Sequence, residues 1–326
     1  MSIMTYREAI RLALAEELAR DDSVFVIGED VGAFGGAMAV TKGLYEQFGA
    51  DRMIDTPISE SAIIGAALGA ALTGLRPVAE IMFIDFVGVC MDQIFNQVAK
   101  VRYMLAGQVE VPLVIRTQGG AGKGYASQHS QSLESWFCHI PGLKVVMPAT
   151  PRDARGLLKS AIRDPNPVIF IEHKVLYNEK GEVPDKEEII PLGKSEIKRE
   201  GKDVTVICHS RQVLNALSAA ESISKEDGLE CEVVDLMTLA PLDEDTLFNS
   251  IKKTNHLITV EEGYENNGIG AEVIARVTSK IFDYLDAPPV RVAFPNCPVP
   301  FSKVLENAVL PDAKKIIDAV RRLRKK

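Results

Sequence analysis

The sequence predicts an α/β protein of two doubly wound domains. Helix-like and strand-like segments alternate along most of the 326 residues, and the strand-like segments are continuous apolar runs. The alternation breaks once, over residues 178–202, and then restarts. Continuous apolar strands are buried on both faces, which is the mark of a parallel sheet covered by helices. Length agrees: at about 100–200 residues per domain, two domains are expected.

The elements follow in order. Thr5, Tyr6, Arg7 and Glu8 read as a capping box, and Ile10, Leu14 and Leu18 then share one helical stripe. VFVIG (24–28) is a short apolar run closed by glycine, hence a strand. Residues 60–74, rich in Ala and Gly, read as a tightly packed helix. Residues 76–83 read as a strand, 92–104 as a helix, and 111–117 as a strand running into a glycine-rich loop. Residues 143–149 are a strand, 151–164 a helix opened by Pro151, and 167–173 a strand. The first domain is thus expected over 1–177. The charged stretch 178–202, with scattered Gly and Pro, reads as the crossing between domains. In the second domain, 203–326, strands are expected at 203–209, 231–236, 256–262 and 289–294, with helices at 211–226 and 270–284.

Composition narrows the function. There are 37 basic and 45 acidic residues, a net charge of −8, which is the wrong sign for a nucleic-acid binder. The five cysteines, Cys90, Cys138, Cys208, Cys231 and Cys297, form no CxxC pair and read as reduced, buried thiols. The first residues carry acids among apolar positions, unlike a signal or transit peptide, and no apolar run reaches the ~18 residues of a membrane span. A soluble, cytoplasmic chain is expected.

The usual tags of several enzyme classes are missing. GGAGKG (119–124) is no Walker loop, because Lys123 is followed by glycine and the upstream glycine is lacking. No GxGxxG follows the first strand, and there is neither HExxH nor GxSxG. Two segments remain. In DTPISESAIIG (55–65), Glu60 falls in the first turn of a helix. Such an acid is routine and favours the macrodipole by ~0.3–1 kcal/mol. A catalytic role needs an apolar cleft around it and a proton affinity raised by desolvation. The second segment carries His129, in a polar loop beyond a strand end, where doubly wound sheets bind ligands. His139, His173 and His209 read as structural.

At these residues a resemblance emerges. GEDVG (28–32), DTPISE (55–60), GLRPVAEIMFIDF (74–86), MDQ (91–93), QHSQSLE (128–134), PGLKVV (141–146) and SAIRDPNPVIF (160–170) occur in this order. Together with HSR (209–211) and DLMTLAPLD (235–243), they resemble the beta subunits of the thiamine-dependent first component of 2-oxo acid dehydrogenase complexes. QHSQSLE and EHKVLY (172–177) look closest to the acetoin branch. The resemblance implies a pyrimidine-binding domain followed by a transketolase C-terminal-type domain. It also implies thiamine diphosphate shared with an alpha subunit, in an assembly of two alpha and two beta chains. The alpha subunit would hold the diphosphate and its magnesium through a GDG motif, which this chain lacks.

The resemblance also assigns residues. Glu60 matches the glutamate that hydrogen-bonds the aminopyrimidine ring, and Ile58 and Phe86 match positions lining that ring. His129 matches a histidine of the active-site loop that handles protons or guides the lipoyl group. Glu29 and Asp92 match acids of a water-filled tunnel between paired sites, although a further tunnel acid is here Val89. Leu113, Ala161, Ile162, Asp164 and Asn166 match a potassium site built largely from backbone carbonyls; read alone, Asp164 and Asn166 are turn formers around Pro165 and Pro167. The expected activity is decarboxylation of a 2-oxo acid, or cleavage of acetoin, with acyl transfer to the lipoyl group of an acyltransferase core. A non-catalytic relative of the same fold is the alternative. The basic ending RRLRKK (321–326) leaves the acyltransferase docking surface open.

Overall fold

The computed structural model describes residues 1–324; Lys325 and Lys326, the last of the basic ending, lie outside the described residues. The chain forms two compact units. The first comprises Met1–Gly119 and Trp136–Leu192; the second comprises Gly120–Ser135 and the chain from Gly193 onward. The first domain is expected over 1–177, and within that span the loop 120–135 groups with the second unit.

The strands of the first unit are β1 (Ser2–Thr5), β2 (Val24–Gly28), β3 (Met53–Asp55), β4 (Arg76–Ile81), β5 (Val114–Gly119), β6 (Lys144–Val146), β7 (Val168–His173) and β8 (Lys180–Val183). Six of them make a parallel sheet in the order β6-β7-β5-β4-β2-β3. All residues of β2, β5 and β7 are buried, as continuous apolar runs require. The charged stretch after 177 is ordered, as the sequence suggests. Its β8 pairs antiparallel with β1, Ser2 opposite Val183.

The helices of this unit are α1 (Tyr6–Arg20), α2 (Leu44–Phe48), α3 (Glu60–Leu72), α4 (Val101–Met104), α5 (Glu134–Cys138), which starts at the edge of the second unit, and α6 (Pro151–Arg163). The Thr5–Glu8 capping box opens α1, and Ile10, Leu14 and Leu18 are buried. Helix α1 packs against α6, and α3 lies on β4. The expected helix over 92–104 is instead broken. Residues 84–90 are a 3₁₀ segment, 93–98 a π-helical turn, and only Val101–Met104 is α-helical. Single π turns inside helical runs recur at functional sites, and this one packs against α3, which carries Glu60.

The centre of this sheet contains charge. Arg116 on β5 is fully buried; its Nε donates to Glu172 at 2.6 Å and its Nη1 to Glu80 at 2.7 Å. Tyr177 Oη donates to the second oxygen of Glu172, and Gln118 Nε2 to that of Glu80. Burial opposes the charge on Arg116, but Glu172 and Glu80 outweigh it and hold the guanidinium protonated. Gln118 Oε1 accepts the Phe83 amide at 2.9 Å, and Phe83 stands at φ +69°. The ion network thereby fixes the turn that leads to Phe86.

The second unit contains β9 (Glu196–Arg199), β10 (Val204–Cys208), β11 (Cys231–Asp235), β12 (Thr238–Ala240), β13 (Leu257–Tyr264) and β14 (Val290–Phe294). Its sheet runs β14-β13-β10-β11-β9, parallel except for β9. The helices are α7 (Gln212–Asp227), α8 (Glu244–Thr254), α9 (Ile269–Ile281), α10 (Lys303–Val309) and α11 (Ala313–Arg324). Of the basic ending, Arg321 is engaged with Glu226 and Asp227, so that charge is paired within the unit. The five cysteines are free, but only Cys90, Cys208 and Cys231 are buried; Cys138 and Cys297 are half-buried. No helix among the described residues is long and apolar enough to cross a membrane.

Candidate active site

In the first unit, Glu29, Glu60 and Phe86 all follow the carboxyl ends of neighbouring parallel strands. Glu29 comes directly after β2, Glu60 five residues after β3, and Phe86 five residues after β4. That edge is where open α/β sheets hold ligands. The loops are tied together locally. Thr56 N donates to Gly28 O at 3.0 Å, and Asp55 Oδ1 accepts the Gly32 amide at 2.6 Å. A side chain at position 32 would bring its Cβ to 2.4 Å from the Asp55 carboxylate, which is why this approach uses glycine. Ser61 Oγ donates to Val89 O at 2.8 Å and joins α3 to the 84–90 segment.

Glu60 is the first residue of α3, after the N-cap Ser59, and is half-buried. Its charge reaches two groups. Burial, then Asp30, then Glu60 raise the carboxyl of Glu29 above its ordinary value. Burial, with Glu60 second, pushes the Cys90 thiol up to about 12, which leaves it a neutral, inert thiol. Cys90 does not stand out as a site residue in the sequence, because its place beside Glu60 comes from proximity alone.

Phe86 is half-buried and meets Phe83 edge-on at 6.4 Å between ring centres. Ile58 is 73 % exposed and Val89 59 % exposed, so apolar surface stands open beside Glu60. Asp92 is exposed and accepts from Asn96 at 2.6 Å. It therefore has a local partner, unlike the half-buried setting of Glu29. His129 lies in the loop that belongs to the second unit, where it is half-buried beyond Ala126 at φ +61°.

The residues expected around potassium sit at the end of α6 and the start of β7. Their oxygens already serve cationic side chains of the chain itself. Ile162 O accepts from Arg76, Asn166 Oδ1 and Pro165 O accept from Arg102, and Asp164 pairs with Lys144. Leu113 O accepts the Val168 amide, and Ala161 O accepts the Asp164 amide. Three positive side chains thus lie against Ile162 O and the side-chain oxygens of Asn166 and Asp164, whereas the Leu113 and Ala161 carbonyls meet backbone amides. Among the described residues no group of three or more His, Cys, Asp or Glu side chains is placed to hold a metal.

An acid and an aromatic ring at one edge suit a heteroaromatic ring with nitrogen donors and acceptors. The glycine-rich loop does not offer a diphosphate cradle, because the amides of Ala121, Gly122 and Gly124 are bonded to carboxylates of the chain. Glu60 and Phe86 thus suit the pyrimidine end of thiamine diphosphate, while the amides of this loop are already engaged by Glu262 and Glu306.

Two parallel-sheet units with these acids at the strand ends define a transketolase-type protein. Residues 2–180 match the family model described as Transketolase, pyrimidine binding domain, and residues 193–316 match Transketolase, C-terminal domain. The chain is 50% identical over 327 residues to the acetoin:2,6-dichlorophenolindophenol oxidoreductase subunit beta of Bacillus subtilis, covering 97% of this chain and 95% of the relative. It is 49% identical to the corresponding subunit of Cupriavidus necator, covering 99% and 98%. It is 47% identical to the pyruvate dehydrogenase E1 component subunit beta of Rhizobium meliloti, covering 98% and 70%. Among solved structures, a split gene transketolase in an inactive beta4 tetramer superposes with a TM-score of 0.81 at 23% identity, covering 98% of each chain, which shows the shared fold. The chain belongs to the family of acetoin and pyruvate dehydrogenase beta subunits.

Proposed function

We propose that this chain is the catalytic beta subunit of a thiamine-diphosphate-dependent dehydrogenase. With its alpha subunit, in an assembly of two alpha and two beta chains, it cleaves acetoin or decarboxylates a 2-oxo acid. The acyl unit then passes to the lipoyl group of an acyltransferase. Acetoin is favoured slightly over pyruvate, in line with 50% and 49% identity to acetoin subunits against 47% to a pyruvate subunit. The cytoplasm is the proposed location. The observation that carries the reading is Glu60, at the carboxyl edge of the sheet, with its charge felt by Glu29 and Cys90.

When bound, thiamine diphosphate supplies the electron sink for breaking a carbon–carbon bond next to a carbonyl. Glu60 shares a proton with a pyrimidine ring nitrogen and so sets which tautomer the ring adopts. Phe86 and Ile58 cover the ring with apolar surface, and shielding from water strengthens the Glu60 hydrogen bond. Glu29, whose carboxyl is raised by burial and by Asp30 and Glu60, and Asp92 are proposed as the tunnel acids that carry a proton between paired sites. His129 handles a proton at the substrate oxygen or meets the incoming lipoyl group. Magnesium and the diphosphate fall to the alpha subunit.

The test is co-expression with the alpha chain and reduction of an artificial acceptor dye by acetoin, pyruvate and branched-chain oxo acids. Turnover should require both chains. Glu60→Gln should assemble normally and lose at least about a hundredfold in turnover, the scale of a lost proton-transfer group. Wild-type turnover in that variant would remove Glu60 from the chemistry.

A further inference from the structure

The GGAGKG stretch has the glycine content of an anion-cradling loop, and the anions its amides hold are carboxylates of the same chain. Glu306 on α10 is 1 % exposed, and its Oε1 accepts Gly122 N at 2.8 Å and Gly124 N at 3.4 Å. Glu262 at the end of β13 is buried; its Oε2 accepts Ala121 N at 3.2 Å, and its Oε1 accepts Gln212 Nε2 at 3.0 Å. Arg211 lies 3.5 Å from Glu262 and donates to Ala121 O at 3.4 Å.

The loop is held at other points too. Ala121 is buried in an apolar cluster with Phe294, Val299 and Leu310. Gly120 N donates to Gln131 O at 2.9 Å, and at the far end Glu134 meets buried His209 at 3.4 Å. Gly122 at φ +100° and Gly124 at φ +73° adopt backbone conformations that turn successive amides inward, which only glycine does without strain. His129 lies between these two anchors, with five residues on one side back to Gly124 and five on the other to Glu134.

We propose that Glu306 is a positioning residue for the reaction: its carboxylate clamps the glycine-rich loop and thereby sets where His129 stands. The clamp rests on the reading of His129 given above only for its effect on turnover, since the hydrogen bonds stand without it. A carboxylate is needed because one oxygen serves two amides in a buried place, and charged acceptors make the stronger bonds. The clamp is local to the second unit: the loop and both carboxylates that hold it belong to that unit. It also accounts for the division of the chain, in which 120–135 leaves the first unit after β5.

The test uses the enzyme co-expressed with its alpha chain. Glu306→Ala should speed hydrogen–deuterium exchange of the peptide 120–126 about tenfold or more, the loss expected for hydrogen bonds to a charged group. Unchanged exchange overturns the clamp. For positioning, turnover is compared in His129→Ala, Glu306→Ala and the double variant. If Glu306 acts through His129, the double variant is no slower than His129→Ala alone, and Glu306→Gln, which keeps an acceptor oxygen, recovers part of the lost kcat. Multiplicative losses in the double variant overturn the positioning role. Full activity in His129→Ala instead refutes the role given to His129 and leaves the clamp to be judged on exchange. Should Glu306→Ala fail to fold, Glu306→Gln carries the exchange and kcat comparison, and wild-type values in both refute the proposal.

Discussion

Arg116 offers the sharpest test of how the first unit is held together. Its guanidinium is fully buried, and its two partners, Glu80 and Glu172, have side chains only 3 % and 0 % exposed. Arg116→Met keeps much of the volume but removes the charge. Two carboxylates are then left in the sheet without their cation, joined only to Gln118 and Tyr177. Removing one partner of a buried ion pair costs about 3–5 kcal/mol. In a unit of this size each kcal/mol shifts Tm by roughly 2–4 °C, so the variant should melt roughly 6–20 °C lower. The assay is thermal denaturation followed by circular dichroism, at two pH values. Burial already raises the Glu172 carboxyl in the folded state, and loss of Arg116 removes the charge that opposes this. A raised folded pKa gives stability that is present at low pH and lost as pH rises. The deficit should therefore be larger at about pH 8 than at about pH 5. Replacing Glu80 and Glu172 by neutral residues in the same chain should recover much of the loss, since a neutral interior can match a buried ion network. A drop of less than about 2 °C, equal at both pH values, would refute the assignment of these charges as the buried tie.

Two further expectations concern the second unit and the α6 terminus. His209 is buried: burial opposes its charge, but the hydrogen bond to Glu134 and the charges of Glu134, Glu261 and Asp235 outweigh that and raise its pKa. The stability it adds is complete below its unfolded value of about 6.5 and disappears as pH rises through the folded one. The stability difference between wild type and His209→Gln should accordingly shrink as pH climbs from about 6 to about 9; a difference that grows over that range would contradict it. For the α6 terminus, Arg76, Arg102 and Lys144 already lie against Ile162 O and the side-chain oxygens of Asn166 and Asp164. Exchange of potassium for sodium at constant ionic strength should move Tm by less than about 2 °C, and a larger stabilisation specific to potassium would show that the ion displaces these side chains.

Much of the fold is legible in the sequence because its periodicities are strong. VFVIG, VIFIEH and VTVIC are buried strands wherever they are read, and Thr5 with Glu8 announces α1 at its first turn. The region 92–104 was not legible. Its apolar spacing suits a helix, but where it packs against α3 it forms a π turn at 93–98 followed by a short α turn at 101–104. The candidate site is legible for Glu60 and His129 because they sit in ordered motifs. Cys90 and Glu306 leave no such trace. Their neighbours are distant in sequence, Glu306 being 184 residues from Gly122.

The sequence by itself determined the class of fold, the apolar central strands and the acid at the head of α3, but not the short strands β1, β3, β8, β9 and β12. What it determined depends on local patterns of apolar residues, on caps and on motif order. Only the tertiary structure decided which unit owns the 120–135 loop, what GGAGKG holds and which oxygens near Asp164 are already taken. Each of these turns on where a charged side chain finds its partner, and pairing between distant residues is a property of the folded chain alone.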